Sequence, residues 1–152
     1  MDKTAGDAAC ITVRPMEPDD IGDVLEIDRK TTGERRALTY RDQVNSYLGG
    51  ELSLSYVAER DGRIVGFLLG RIRDLQQGVY EGAWMEIIGV HPECKRQGIG
   101  RLLLAAFSDG CRERGAKEVH AVVDSRDNDI RPFIKAVGFL PGQQIHYIQR
   151  LI

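Results

Sequence analysis

Apolar and polar positions change period several times along this chain, and each change predicts an element. Cys10-Ile11-Thr12-Val13-Arg14 alternates with the period of two that buries one face of a strand, and Pro15 stops it. Glu17-Pro18-Asp19-Asp20 carries the proline and carboxylates that a first helical turn favours, and Ile21, Val24 and Leu25 follow as a buried stripe. That helix is predicted to fade near Thr31-Thr32-Gly33. A second is predicted over about 40–48, with Val44, Tyr47 and Leu48 inward and Gly49-Gly50 as its stop.

Leu54 to Glu59 and Ile64 to Ile72 flank Arg60-Asp61-Gly62-Arg63, and Asp-Gly between two apolar runs is a strong hairpin signal. Trp84 to Val90 is too continuously apolar for a strand with one wet face, which predicts a central place in the sheet, and Gly89 within it predicts a bulge. From about Gly98 to Arg114, Ile99, Leu102, Leu103, Ala106, Phe107 and Cys111 recur at helical spacing, with Gly115 as the stop. Glu118 to Val123 is then a strand reached by a crossover helix, hence parallel to the one before. Asp127-Asn128-Asp129 offers caps for a short helix through Ala136, and Pro132 puts the cap at Asp129 or later. Gly138-Phe139, a Pro141-Gly142 turn and Ile145 to Ile152 predict a closing strand pair.

This order is that of an α/β (α+β) fold. Residues 1–9 read as a loose tail and 10–152 as a single domain, long enough for one full core. With 29% charged residues and a net charge of −2, no global basic field draws the chain to nucleic acid. The start lacks the apolar core of a signal peptide and no apolar run reaches bilayer length, so no membrane partner and a cytoplasmic location are expected. Cys10, Cys94 and Cys111 show no paired spacing, and His91, His120 and His146 are scattered, so neither a disulfide framework nor a metal site is expected.

The chemistry concentrates in Val90-His91-Pro92-Glu93-Cys94-Lys95-Arg96-Gln97-Gly98-Ile99-Gly100-Arg101, where an apolar run becomes a glycine-rich, basic loop and then a helix. Glycines let backbone approach a ligand, and a helix's first turn leaves N–H groups unpaired at the positive end of its dipole. The loop therefore suits phosphate, with Lys95, Arg96 and Arg101 adding charge; an ordinary surface turn before a helix is the plainer alternative. A Walker loop is excluded because Gly100 is followed by Arg101-Leu102 rather than Lys-Ser/Thr. A dinucleotide fingerprint fits poorly, since its third glycine falls on Leu103.

With Ile87-Ile88-Gly89-Val90 before it and Leu102-Leu103-Leu104 after it, the segment resembles motif A of the GCN5-related N-acetyltransferase (GNAT) superfamily, whose loop runs Arg/Gln-x-x-Gly-x-Gly/Ala. Lys95-Arg96-Gln97-Gly98-Ile99-Gly100 fits with lysine in the first position, which keeps the charge and loses the planar fork of arginine. Asp127 through Phe139 is similar to the family's second signature, Asn-x-x-Ala-x-x-Phe-Tyr-x-x-x-Gly-Phe. Phe133, Gly138 and Phe139 are retained, Asp127 takes the asparagine position with Asn128 beside it, and Ile134 replaces the tyrosine. The resemblance covers about residues 11 to 152. It implies one mixed, mostly antiparallel sheet of about six to seven strands flanked by about four helices, splayed between strands 4 and 5.

The resemblance further implies an N-acetyltransferase that uses acetyl-coenzyme A (acetyl-CoA) as co-substrate, without metal, by direct attack in a ternary complex. Ile88, Gly89 and Val90 would meet the pantetheine and acetyl end. The amides of Arg96, Gln97, Gly98, Ile99, Gly100 and Arg101 would hold the pyrophosphate beside Lys95, with Asn128 and Phe133 completing the cofactor set. An amide of a bulge at Ile88 or Gly89 can point at the thioester oxygen, where negative charge grows. A lysine-like amine of pKa about 10.4 is roughly 4.6 kcal/mol from its neutral form at pH 7, so a base helps. Glu86 is the candidate, in a setting expected to be apolar; a structural ion pair with Arg71 or Arg73 is the competing role. Tyr147 on the last strand is the substitute acid for the tyrosine absent at position 134, ahead of Tyr80 and Tyr56.

The acceptor expected is a protein amine, an N-terminus or a lysine, because the turn Pro141-Gly142-Gln143-Gln144 is short where long turns roof this family's cleft. Asp19, Asp20, Asp23, Glu26 and Asp28 make the first helix acidic, which suits a basic acceptor or simply a solvated face. The alternatives are a small amine such as a polyamine, amino sugar or drug, and a non-catalytic module that binds acetyl-CoA. An exposed last strand could pair two copies into a homodimer.

Overall fold

The computed structural model describes residues 10–32, 54–74 and 81–152. They form two compact units, one running to Val122 and the other from Val123 to Ile152. The first carries strands β1 (Ile11–Pro15), β2 (Tyr56–Arg60), β3 (Arg63–Asp74), β4 (Glu81–Val90) and β5 (Val119–Ala121), with helices α1 (Ile21–Thr32) and α2 (Ile99–Glu113). The sheet order is β1-β2-β3-β4-β5, antiparallel except for the parallel pair β4 and β5.

The hairpin forms where Asp61-Gly62 predicts it, with φ of 52° at Asp61 and 76° at Gly62, the left-handed pair that matches the twist of two-residue hairpins. One face of the sheet packs Val57, Phe67 and Leu69 against Val24 and Ile27 of α1, with Ile87 beside them. The opposite face receives α2. Gly66 lies under Ile99 and Leu103, and a Cβ on Gly70 would stand 2.1 Å from the Phe107 ring, so these glycines let the helix settle on the strands. Tyr56 points into this second face, where its hydroxyl fills the space beside Gly110. In α2 Leu104 is buried and Leu102 is 44% exposed, the reverse of the inward place expected for Leu102, because the helix centres its buried stripe on Ile99, Leu103 and Phe107.

The start of α1 is fastened by a charge network. Arg14 gives a bidentate contact to the Asp20 carboxylate, at 2.7 and 2.8 Å, and a third hydrogen bond of 2.9 Å to Glu59. The Glu17 N–H also donates to Asp20, at 2.8 Å. The guanidinium and this amide together hold the Asp20 carboxyl below the usual carboxylate range, and Asp20 is buried.

The second unit contains one short helix, α3 (Ile130–Ala136), capped at Asp129. The capping oxygen comes from Asp127, which accepts from the amides of Asp129 and Ile130 at 3.0 and 3.1 Å. The closing strand pair predicted from Gly138 to Ile152 is absent: residues 139–152 hold no helix or strand. Alternation there supplies an apolar face, but the bonds of a strand come from a neighbour. The described sheet therefore has five strands rather than six or seven, and the homodimer expected through the last strand loses the element it rests on. The helix predicted over 40–48 and Tyr80 lie outside the described residues.

Candidate functional site

Strand β4 organises the site. Its parallel ladder with β5 holds only Ala83↔Val119, Trp84↔His120 and Met85↔Ala121 and then stops, while β3 pairs with β4 as far as Val90. From Glu86 to Val90 the strand is therefore open on the β5 side, which is the expected splay. Leu69 pairs with Ile87 and Gly70 with Met85, so Glu86 is the extra residue of a β-bulge. This corrects the bulge expected at Gly89. Gly89 pairs regularly with Phe67, and its missing Cβ makes room for the Phe67 ring, which a Cβ would approach to 2.6 Å.

The bulge decides what faces the opening. His91 N–H donates to Val65 C=O at 2.8 Å, and antiparallel pairs alternate between bonded and non-bonded. Gly89 and Ile87 thus turn their backbone groups to β3, while Ile88 and Val90 turn theirs to the open side. The bulge also keeps Met85 on the α2 face and brings Glu86 to the α1 face, where its carboxylate lies 3.5 Å from Arg71 Nε. At that distance the contact is a loose ion pair rather than a strong hydrogen bond. Arg71 is thus a partner of Glu86, whose setting is charged rather than apolar, and the side chain of Arg73 lies outside the described residues.

Further along this face Trp84 stacks on His120, ring centroids 4.8 Å apart at 21°, and Glu118 meets His120 Nε2 at 3.1 Å. Arg71, Glu86, Trp84, His120 and Glu118 thus share one side of the sheet near the start of the opening. His120 and Trp84 belong to the site by geometry; a histidine scattered in sequence gave no such signal, because the pairing of β4 with β5 is what brings it there.

At the far end of β4 the chain enters the basic loop. His91 Nδ1 accepts the Glu93 amide at 3.1 Å and starts a 3-10 turn over Pro92–Cys94. Arg96 and Gly98 follow with left-handed φ values of 65° and 80°, and Gly98 caps α2. The first backbone bond of the helix runs from Leu102 N–H to Gly98 C=O at 3.1 Å, so the amides of Ile99, Gly100 and Arg101 precede the ladder. Side chains of Lys95, Arg96, Gln97 and Arg101 are exposed, and Ile99 is buried as the anchor of the turn. This arrangement can bind an anion through main-chain amides, as the sequence predicts.

The sequence profile of the Acetyltransferase (GNAT) family matches residues 21–139. The chain belongs to the GNAT acetyltransferase family. As a member it is an N-acetyltransferase, and the fold agrees. The aminoglycoside acetyltransferase meta-AAC0020 from an uncultured soil metagenomic sample, in complex with trehalose, is 20% identical with a TM-score of 0.76, covering 95% of this chain and 98% of its own. The aminoglycoside N-acetyltransferase AAC(6')-Iy in complex with CoA is 16% identical with a TM-score of 0.77, covering 92% and 94%. Ard1 from Thermoplasma volcanium is 24% identical with a TM-score of 0.74, covering 86% and 83%. Among curated protein sequences nothing matches.

In this GNAT chain the first unit brings together Glu86, Ile88, Gly89 and Val90 on β4 and Lys95 to Arg101 beyond it. Asn128, in the turn before α3, Phe133, on α3, and Tyr147 belong to the second unit. Tyr147 does not sit on a strand, so the strand-borne phenol expected there is not found. Tyr56 lies on the α2 face, opposite Glu86, which removes it as an acid. The acidic first helix is also reduced: Asp20 and Asp28 are buried and Glu26 is paired with Arg29 and Lys30, which leaves Asp19 and Asp23 exposed. Among the described residues no cluster of His, Cys, Asp or Glu could hold a metal ion, and no described helix is long and apolar enough to cross a membrane.

Proposed function

We propose that this acetyltransferase moves the acetyl group of acetyl-CoA to a primary amine by direct attack, with Glu86 as the base. The observation that carries the reading is the bulge: it sets one carboxylate at the point where β5 departs, on the strand whose other end leads into the anion-binding loop. The pyrophosphate is held by the amides of Gly98 to Arg101 with Lys95 and Arg96 nearby. The outward backbone of Ile88 and Val90 pairs with the pantetheine arm, and the Ile88 amide faces the thioester oxygen. Glu86 takes the proton of the attacking amine, directly or through water. The departing thiolate, of pKa about 8.5, costs only about 2 kcal/mol to release at pH 7, so solvent suffices to protonate it.

For the acceptor, the protein amine expected from the sequence competes with a second reading that one observation favours. Glu86, with Arg71 beside it, and Glu118 share one side of the sheet with the Trp84–His120 stack, and carboxylates and aromatic rings together favour a cationic ligand. The solved structures it resembles include aminoglycoside acetyltransferases. A small amine with more than one positive charge is the acceptor proposed here. Thiol release assayed with panels of polyamines, aminoglycosides and peptides tests it: turnover of peptides alone contradicts the acceptor. For the base, Glu86→Gln is expected to lower kcat/KM by about 10² to 10³ and to remove the acidic limb of its pH profile, with CoA affinity retained. An unchanged profile contradicts the role of Glu86.

A further inference from the structure

The loop that presents its amides to a ligand has little to hold its own shape. Arg96 is a non-glycine residue in the left-handed region, a conformation that costs roughly 1 kcal/mol, and the amides of Ile99, Gly100 and Arg101 make no helical bond. Upstream, the loop is fixed by His91, through its bonds to Val65 and Glu93. Downstream, the support comes from a different part of the sheet. Arg60, the last residue of β2, reaches across from the hairpin and donates through Nη2 to the side-chain oxygen of Gln97.

Arg60 is well placed to act as a fixed point. It pairs with Ile11 on one side and Arg63 on the other, directly before the tight Asp61-Gly62 turn. Its Nε is enclosed and makes no hydrogen bond among the described residues, and its Nη2 is held by Gln97. Nothing in the chemistry assigned to the loop uses the side chain of Gln97; only its backbone amide is called on.

We propose that Arg60 is a positioning residue for the cofactor: through the Gln97 side chain it keeps the loop in the form that presents its amides to the pyrophosphate. The inference rests on the loop being the CoA site. Losing one hydrogen bond that orders a loop corresponds to about a 5-fold change in affinity.

Calorimetric titration with CoA of the wild type, Arg60→Ala, Gln97→Ala and the double variant tests it, with steady-state kinetics alongside. Each single substitution is expected to raise Kd about 5-fold, and the double variant no more than the worse single one, since both remove the same contact. For Arg60→Ala the effect should fall on KM for acetyl-CoA, with kcat at saturation within about two-fold of wild type. Effects that multiply in the double variant overturn the inference, because they mean that Arg60 meets the phosphate itself; so does an unchanged Kd in Arg60→Ala. If Arg60→Ala fails to fold, Gln97→Ala decides alone, an unchanged Kd overturning the proposal. Wild type that does not bind CoA overturns the cofactor reading and this inference with it, an outcome distinct from wild-type binding that Arg60→Ala leaves intact.

Discussion

Single residues show where sequence reading succeeds and where it stops. Glu86 was legible as a carboxylate on a central apolar strand, but its bulge was not, because the glycine three residues on is the stronger local signal. Gly89 answers to a different demand, the ring of Phe67 on the neighbouring strand, which no local pattern reveals. A methyl group there meets the ring at 2.6 Å. Gly89→Ala is therefore expected to destabilise the protein by about 2 kcal/mol, the scale of an overpacked core, and to disturb the β4 backbone that faces the opening. Chemical denaturation of the variant measures this, and an unchanged midpoint contradicts the tight packing. His120 is the converse case, a residue without a motif that joins the site because two strands distant in sequence lie side by side.

Elements were read best where their signals are local. The hairpin, α1, α2 and the parallel entry of β5 follow from turn chemistry and apolar spacing, whereas the strands predicted after Gly138 depend on a partner that sequence cannot supply. Burial on α2 also has a measurable consequence. Cys111 is 2% exposed, and burial pushes its thiol up to about 11. The native state then holds this proton more tightly than the unfolded chain, whose thiol titrates near about 8.5. Stability from this group is complete below that value and falls as pH rises toward 11. Thermal melts between pH 8 and 11 should show a steeper decline for the wild type than for Cys111→Ala; equal slopes contradict it. At the acid end the sign reverses for Asp20, whose carboxyl is held low by Arg14: its contribution is present above the ordinary carboxylate range and is lost as pH falls through its folded value. Thermal melts carried down from neutral pH through the carboxylate range should show a shallower loss of stability for Asp20→Asn than for the wild type, and equal slopes contradict it.

At the scale of the molecule, family and fold were legible from one loop and the order of elements, because backbone amides at a helix mouth need only glycines and a helix to be recognised. The acceptor was not legible, since the side chains proposed to choose it, Trp84, His120, Glu86 and Glu118, meet only once the sheet is assembled. Cofactor and acceptor readings alike depend on the opening beside β4 being a CoA site. Calorimetric titration of the unmodified protein with acetyl-CoA tests that most directly. Saturable one-to-one binding is expected, lost when the pyrophosphate is absent, as with free pantetheine; no association at millimolar acetyl-CoA, or equal binding of pantetheine, contradicts a CoA site beside β4.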